Sequence, residues 1–403
     1  MKAHSTGLKL PLLGPRNCTA LLALLGLAAL GLTAGCTQQF RVITTPIFSP
    51  TANPVGADRS IEVNYNGGGA GTAVVIDLQG EAALGYYITG NGPVSVAVNS
   101  TASFYYIANQ NADTVTAFSS SVLGGNPTNI ITLPAGSRPS FITAPSGNNV
   151  YVANPGAGTV SVISQALQAL SGTVPVGANP VWVQPSTDGS KVYVLNQASG
   201  TVTVVAASDL TVLATLPVGA SPVAAAISPA GTLFVANQGS NTVSVIDTST
   251  DTVGTPLTVG SAPSALAFDK TLNRLYVLNS GSNTVSVFKA DVSPVTPLRT
   301  VAVGASPVSI TVLADGTRFY VANSASNTVS VIDTGSFTVT KTIAVGTDPI
   351  AVTSGSQGLR VLVLNRGSNN ISLIDTSTDT VAVTLALPQG SSDPRAVASY
   401  TLL

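Results

Sequence analysis

Charged residues beside repeated prolines are the groups in this chain that could perform chemistry. Asp348 and Asp393 each stand directly before a proline that ends a Gly-x-x-Pro segment or a variant of it, and Arg395 follows the second of these prolines. Arg138 holds the same pre-proline position in another copy. A carboxylate that stands outside a repeat pattern could act as the general base for hydrolysis of an ester or lactone. We expect these four residues at the mouth of a central channel.

The residue types that most often serve catalysis or metal binding are scarce. The single histidine is His4, and the two cysteines are Cys18 and Cys36. The rest of the chain therefore lacks the commonest general base and the commonest transition-metal ligands. We name no catalytic residue, no metal site and no cofactor from the sequence, and we expect no metal-dependent or general-base hydrolase activity.

A repeat of about 43 residues must position these groups. Its marker is Gly-x-x-Pro, whose prolines are Pro93, Pro139, Pro180, Pro222, Pro263, Pro307, Pro349 and, with one extra residue before it, Pro394. Each unit holds runs of five to eight residues rich in Val, Ile, Thr and Phe, separated by Gly, Asn and Asp turns, which is typical of short strands. Four strands per unit predict an all-β protein built from propeller blades.

Several repeated motifs resemble one known family. Tyr-Val-Ala-Asn, Ser-Asn-Thr-Val-Ser-Val-Ile-Asp-Thr and Val-Gly-x-x-Pro are similar to the repeats of the bacterial YVTN β-propeller family, over about residues 61–403. The resemblance implies a propeller fold but no particular activity, because propellers carry many functions.

The two ends of the chain carry complementary parts of one unit. The segment from residue 61 matches the second, third and fourth strands, whereas the segment from Pro394 matches a first strand. We therefore expect eight blades, the last closed by N- and C-terminal strands, which removes two exposed sheet edges. Seven blades, the usual number in the resembling family, is the alternative.

The first 36 residues read as an export signal. Lys2, Lys9 and Arg16 precede an apolar run from Thr19 to Leu32, which is short for a membrane-spanning helix. The sequence Thr-Ala-Gly before Cys36 resembles a bacterial lipobox, and this resemblance implies lipid attachment at Cys36. An ordinary cleaved signal and an uncleaved anchor are the alternatives. We expect residues 1–36 to be a lipoprotein signal peptide, 37–60 a flexible tether and 61–403 the propeller.

Charge is sparse in the remaining chain, with 13 Lys and Arg against 17 Asp and Glu after residue 36. The absence of a basic cluster argues against nucleic acid as a partner. Our first hypothesis is a monomeric, non-enzymatic lipoprotein scaffold at the outer membrane or cell surface, not an enzyme. It would attach to the membrane through its lipid and bind an envelope protein or polysaccharide. The alternative is a propeller enzyme of lactonase or quinoprotein type with a site at the channel mouth.

Other polar and aromatic residues have structural interpretations at this stage. Asparagines that end the second strands, such as Asn237, are expected to form turns, although a ligand-binding ring of amides is conceivable. Aspartates after the third strands, such as Asp247, are interpreted as Asx turns. Glu62 and Glu81 are interpreted as solvated strand-end charges, and Trp182 as a core residue rather than a ligand platform.

Overall fold

The computed structural model describes residues 40–41, 58–67, 69–387 and 391–401, and these form strands and turns only. The strands assemble into eight sheets, which we number as blades 1 to 8 in chain order. The prediction of an all-β propeller with eight blades is thus confirmed. No helix in the described residues is long and apolar enough to cross a membrane.

Each blade is an antiparallel meander whose first strand is innermost. The strands of the first four blades are, for blade 1, β2 (Asp58–Asn64), β3 (Ala70–Asp77), β4 (Ala82–Asn91) and, from the other chain end, β34 (Pro394–Thr401); for blade 2, β5 (Pro93–Val98), β6 (Phe104–Asn109), β7 (Thr114–Ser119) and β8 (Asn129–Thr132); for blade 3, β9 (Phe141–Thr143), β10 (Asn149–Asn154), β11 (Thr159–Ser164) and β12 (Ala169–Pro175); for blade 4, β13 (Pro180–Pro185), β14 (Lys191–Asn196), β15 (Thr201–Ala206) and β16 (Val212–Pro217).

The other four blades follow the same plan, except that the fourth strand of blade 5 is split in two. The strands are, for blade 5, β17 (Pro222–Ile227), β18 (Thr232–Asn237), β19 (Thr242–Asp247), β20 (Thr252–Val253) and β21 (Leu257–Thr258); for blade 6, β22 (Pro263–Asp269), β23 (Arg274–Asn279), β24 (Thr284–Lys289) and β25 (Thr296–Ala302); for blade 7, β26 (Pro307–Val312), β27 (Arg318–Asn323), β28 (Thr328–Asp333) and β29 (Val339–Ala344); for blade 8, β30 (Pro349–Ser354), β31 (Arg360–Asn365), β32 (Asn370–Asp375) and β33 (Thr380–Ala386), with β1 (Phe40–Arg41) added in parallel to β33.

The first strands form a closed ring, because each contacts the first strand of the next blade and β34 contacts both β30 and β5. The C-terminal strand pairs with β2 in antiparallel register, with Ile61 opposite Ala398 and Val63 opposite Ala396. The predicted closure by both chain ends is therefore confirmed. Strand β2 begins at Asp58, and β1 also lies within the segment that the sequence assigned to the tether.

Apolar side chains fill the interfaces between blades. The described residues form eight buried clusters, one at each interface. Between blades 7 and 8, for example, Tyr320, Val329 and Val331 pack with Val361 and Val363. Strands that are buried on both sides explain why the central strands read as continuous apolar runs in the sequence.

The glycine of Gly-x-x-Pro is required by close packing at the start of blades 2 and 4 to 8, whereas a Cβ atom on Gly136 of blade 3 would meet no atom within 4 Å. A Cβ atom on Gly304 would lie 2.7 Å from Cγ of Asn323, which is buried beneath it. The same contact occurs at Gly177 with Asn196. Because no side chain larger than hydrogen fits there, the repeat keeps this glycine together with the asparagine. The eighth copy starts at Gly390, which lies outside the described residues.

Candidate functional site at the channel mouth

The Gly-x-x-Pro loops and the loops between second and third strands share one face of the ring, which we call the proline face. The residue before each proline starts the innermost strand and so borders the channel mouth. All eight of these residues have a left-handed backbone, with φ between 48° and 71°. They are Gly92, Arg138, Asn179, Ser221, Ala262, Ser306, Asp348 and Asp393.

Hydrogen bonds to the neighbouring loop hold this unusual backbone in place. The N–H of Arg366 donates to the carbonyl of Asp348 at 2.9 Å, and the N–H of Tyr65 donates to the carbonyl of Asp393 at 3.0 Å. The Gly-x-x-Pro loop that contains Asp348 is also bonded to blade 7, since the N–H of Asp348 donates to Oδ1 of Asn327 at 2.9 Å. The side chains of Asp348 and Asp393 are therefore presented by a fixed backbone rather than by a free loop.

Asp348 forms an ion pair with Arg366 across the two loops of blade 8. Both Nε and Nη2 of Arg366 lie 2.8 Å from Oδ2 of Asp348. The side chains remain 43% and 36% exposed for Arg366 and Asp348, so water and a ligand can reach the pair. The sequence did not single out Arg366, although it is the one charged residue among those that directly follow the strand-ending asparagines.

Asp393 forms a second ion pair in blade 1, with Nη2 of Arg395 as its partner. The guanidinium of Arg395 also lies over the ring of Tyr65, with 5.3 Å between Cζ and the ring centroid. A guanidinium over an aromatic face is attracted by the ring quadrupole. Tyr65 therefore helps to fix Arg395 beside Asp393, and it is a second residue that the sequence did not indicate.

The two ion pairs lie on neighbouring blades, because β30 and β34 start at the same face and pack against each other. Asp348, Asp393 and Arg395 are thus brought to one side of the channel mouth. Arg138 borders the same mouth but lies on blade 3, with blade 2 between it and blade 1. Its backbone is held by Asp113, whose Oδ1 accepts the Arg138 N–H at 2.6 Å.

Hydroxyl groups line the channel below the two ion pairs. Oγ of Ser309 in blade 7 accepts the Val352 N–H of blade 8 at 3.1 Å. Thr353 donates to Oγ of Ser399 in blade 1 at 2.9 Å. These bonds link the first strands of blades 7, 8 and 1 directly, so the side of the channel that carries both ion pairs has a polar wall.

The recurrent asparagines do not form a ligand-binding ring. All eight are fully buried, and Asn237 is representative. Its Nδ2 donates to Oγ1 of Thr242 at 3.1 Å and to Oγ of Ser244 at 2.9 Å. The expectation that they form left-handed turns is wrong in detail, because their amides bind hydroxyl groups of the third strand. The aspartates behave as predicted: Oδ1 of Asp247 accepts the N–H of Ser249 at 2.8 Å in an Asx turn.

The sequence suggested that both glutamates are solvated strand-end charges, and the structure shows that this is wrong. Glu62 is fully buried in the second strand of blade 1, and this burial raises the pKa of its carboxyl to about 8 while a hydrogen bond from Asn64 acts in the opposite direction. Glu81 forms an ion pair with Arg360 of blade 8 at 3.0 Å. Neither carboxyl belongs to the ring of pre-proline residues, so the charged groups of the candidate site are those of aspartates and arginines.

No group of three or more His, Cys, Asp or Glu side chains in the described part of the chain could hold a metal ion. Cys36, the predicted lipid-attachment residue, lies outside the described residues. Trp182 stacks on Phe141 of the neighbouring blade, with 4.3 Å between ring centroids and 25° between ring planes. It also packs against a core cluster, as expected.

A family model described as lactonase, 7-bladed β-propeller matches residues 163–259 and 250–393, which is more than half of the chain. The chain belongs to this lactonase family. Its eight sheets exceed the number in the family description. No curated protein matches the sequence significantly.

Solved structures show the same fold at low sequence identity. The dihydro-haem d1 dehydrogenase NirN aligns with a TM-score of 0.72 and 12% identity over 90% of this chain and 78% of that chain. AztD from Citrobacter koseri aligns with a TM-score of 0.65 and 14% identity, covering 86% and 98% of the two chains. A candidate 6-phosphogluconolactonase from Bacteroides fragilis aligns with a TM-score of 0.56 and 16% identity, covering 85% and 98%.

Two expectations from the sequence are overturned by the lactonase match. The chain was expected to be a non-enzymatic lipoprotein scaffold, and to be no enzyme. Membership in the lactonase family points to an enzyme-type propeller. Scarcity of histidine misled the first interpretation, because it removed one class of catalyst but not the carboxylates and guanidinium groups at the channel mouth.

Proposed function

We propose that this lactonase-family propeller is a hydrolase that opens lactones at the channel mouth on the proline face. The observation that carries the proposal is the pair of carboxylate–guanidinium contacts on adjacent blades, Asp348 with Arg366 and Asp393 with Arg395. Arg138 is the one other charged residue among the eight pre-proline positions. A catalytic group is expected to break a structural repeat in this way, because a purely structural residue is needed in every blade.

The residues present can divide the work of lactone hydrolysis. Asp348 or Asp393 would accept a proton from water as the water oxygen bonds to the lactone carbonyl carbon. A guanidinium of Arg366 or Arg395 would stabilise the negative charge that develops on the carbonyl oxygen. The ring C–O bond then breaks, and the leaving oxygen takes the proton, so that the product is a hydroxy carboxylate.

The direct experiment measures proton release when the purified protein is mixed with γ- and δ-lactones. We expect turnover above the spontaneous rate, and its loss in Asp348→Asn or Asp393→Asn at unchanged thermal stability. Asp315→Asn is the matched control, because Asp315 forms an Asx turn by accepting the Thr317 N–H at 2.9 Å and lies away from the mouth. Turnover that is equal in all three variants would remove these carboxylates from the mechanism.

A redox role of the kind named for NirN has less support in this chain. Haem iron in proteins is commonly held by His, Cys or Met side chains. Residues 37–403 contain none of these three residue types. The aspartates and arginines at the channel mouth instead suit acyl transfer, which is why we favour hydrolysis over the quinoprotein or haem alternatives.

We also propose that the chain is a YVTN-type repeat protein exported to the bacterial cell envelope and anchored through a lipid on Cys36. The lipobox-like sequence before Cys36 and the preceding apolar run support this location. Thr37 follows Cys36, so the aspartate that retains many lipoproteins at the inner membrane is not there, and we favour the outer membrane. Cys36→Ser should release the protein from membranes or block its processing; a variant that still fractionates wholly with membranes would refute lipid attachment at this residue.

A further inference from the structure

A pocket lies at the end of the channel opposite the proline face, where the first strands of blades 3 to 6 end. Its volume is about 530 Å³, within the range of small-molecule sites. Polar side chains contribute Thr143, Gln184, Ser186, Thr187 and Lys270, and the remaining lining is Pro145, Pro185, Ile227 and Pro229. The pocket therefore offers hydroxyl groups, one amide and one cation between apolar walls.

Lys270 supplies a positive charge that no internal carboxylate neutralises. Among the described residues, no carboxylate lies within 4.0 Å of its Nζ, whereas Lys191 pairs with Asp251 and Lys289 with Asp291. The fourth lysine in the described chain, Lys341, donates to the Thr378 carbonyl. Lys270 thus differs from Lys191 and Lys289 in having no carboxylate partner among the described residues, and from Lys341 in lining a pocket.

Two aspartates near the pocket in sequence are hydrogen-bonded within their own turns, and one of them, Asp188, binds the pocket-lining Ser186. Oδ1 of Asp269 accepts the N–H groups of Thr271 and Leu272 at 2.8 and 3.0 Å. Asp188 accepts the hydroxyl of Ser186 at 2.6 Å and the N–H of Ser190 at 3.1 Å, and these bonds lower its pKa to about 2. Neither aspartate lines the pocket.

Gln184 departs from the repeat at the same place. Its equivalents in the other blades, read from the strand register, are Ala97, Thr143, Ala226, Ala267, Thr311, Thr353 and Ala398. Oε1 of Gln184 accepts Nε1–H of Trp182 at 3.4 Å, and this orients the amide. Its Nε2 donates to the Pro185 carbonyl at 3.3 Å, which leaves the second N–H of the amide for a ligand. A long amide where four blades have alanine is not required for building a blade.

We propose that this pocket binds a small hydroxy carboxylate. Lys270 would face the carboxylate, the amide of Gln184 and the hydroxyls of Thr143 and Thr187 would bind the ligand hydroxyls, and the proline and isoleucine side chains would contact its carbon chain. A charge-assisted bond to an ammonium group and several neutral hydrogen bonds are the usual combination for such anions. The proposal does not depend on hydrolase activity, although opening of a lactone yields a compound of this class.

Calorimetric titration of the full-length protein with D-gluconate tests the proposal, with sorbitol as the uncharged polyol of equal chain length. We expect saturable gluconate binding, weaker or no sorbitol binding, and a loss of roughly fivefold or more in gluconate affinity for Lys270→Gln. Lys289→Gln is the matched control, because that lysine is exposed and outside the pocket. Gln184→Ala should also weaken gluconate binding, and alanine at this position is already compatible with the blade.

Equal gluconate affinity in Lys270→Gln and Lys289→Gln, equal affinity for gluconate and sorbitol, or no saturable binding would each overturn the proposal. Gluconate binding that persists in Asp348→Asn and Asp393→Asn places the site away from the channel mouth on the proline face. Calorimetry measures gluconate binding without turnover. An absence of gluconate binding would overturn the pocket proposal alone, and an absence of lactone turnover would overturn the lactonase proposal alone.

Discussion

Glu62 on the second strand of blade 1 faces Val74 on the third strand. At this register position every other blade has the apolar residue on the second strand and the polar residue on the third. In those seven blades the second strand carries Val or Ile and the third carries Ser or Thr, as in the pair Val321 and Ser330. The hydroxyl accepts the buried asparagine amide in those blades, at 3.0 Å for Asn323 and Ser330. In blade 1, Oε1 of Glu62 accepts the Asn64 amide instead, at 2.8 Å.

This exchange predicts a pH-dependent stability. The pKa of Glu62 is about 8 in the folded protein against an ordinary value of 4.5, so folding takes up a proton between these pH values. Stability contributed by protonated Glu62 is complete below pH 4.5 and is lost as pH rises toward 8, by up to about 1.4 kcal/mol per pH unit. Glu62→Gln should flatten this slope in denaturant melts from pH 5 to 8.

The double variant Glu62→Val with Val74→Ser is the matched control, because it gives blade 1 the pair found in the other blades. It should fold and show the same flattened slope as Glu62→Gln. A wild-type protein whose stability between pH 5 and 8 runs parallel to both variants would contradict the assignment of a buried, protonated Glu62.

Ring closure depends on the C-terminal strand. Tyr400 of β34 packs on Tyr105 of blade 2, with 5.4 Å between ring centroids, and their hydroxyls are hydrogen-bonded. Removal of residues 394–403 should lower the thermal midpoint by on the order of 10 °C, because a whole innermost strand and its interface are lost. Removal of Leu402 and Leu403 alone is the control. A ten-residue truncation that melts with the full chain would disprove closure by β34.

Each buried asparagine amide should contribute more to the free energy of unfolding than a turn-forming asparagine would. Asn237→Ala removes two hydrogen bonds inside blade 5, so we expect a loss of about 2 kcal/mol in the free energy of unfolding. Gln238→Ala, at the next position, serves as the control and should change stability little. Chemical denaturation measures both. A loss no greater than that of the control would show that these amides are dispensable.

Partly buried ion pairs between blades should contribute more to the stability of the protein than exposed ion pairs. Asp251 of blade 5 binds both Lys191 and Tyr193 of blade 4, at 2.7 Å in each case. Asp251→Ala should destabilise the protein by about 2 kcal/mol, because two partly buried donors lose a charged acceptor. Asp291→Ala, which breaks the exposed pair with Lys289, should cost less than about 0.5 kcal/mol. Equal losses in the two variants would contradict a role for Asp251 in joining blades.

Sequence reasoning predicted the repeat, the eight blades and the composite first blade, because Gly-x-x-Pro recurs at a fixed period and the chain ends carry complementary strands. It placed Arg138, Asp348, Asp393 and Arg395 at the channel mouth, but it did not indicate which of them share one side. It did not find Arg366 or Tyr65, which become partners of these residues only when two loops of one blade meet. Burial of Glu62 was equally hidden, since the exchange with Val74 is visible only once the strand register is known.

Pockets between repeats were beyond sequence reasoning for a related reason. Gln184 and Lys270 lie 86 positions apart and occur on blades 4 and 6. Their proximity follows from the curvature of the ring, not from any local pattern. The blades of a propeller can therefore be predicted from its sequence, whereas the contacts of residues that depart from the repeat can be assigned only from the closed ring.

Initial rates of lactone opening, compared between the wild-type protein and the Asp348→Asn/Asp393→Asn double variant, test the central claim most directly. The account predicts saturable hydrolysis by the wild-type protein and a loss of about 100-fold or more in kcat/KM in the double variant, with Asp315→Asn retaining full activity. Melting temperatures of all three proteins should agree within the error of the measurement. A folded wild-type protein that opens no lactone, or a double variant as active as wild type, would contradict the claim that the channel mouth is a lactonase site.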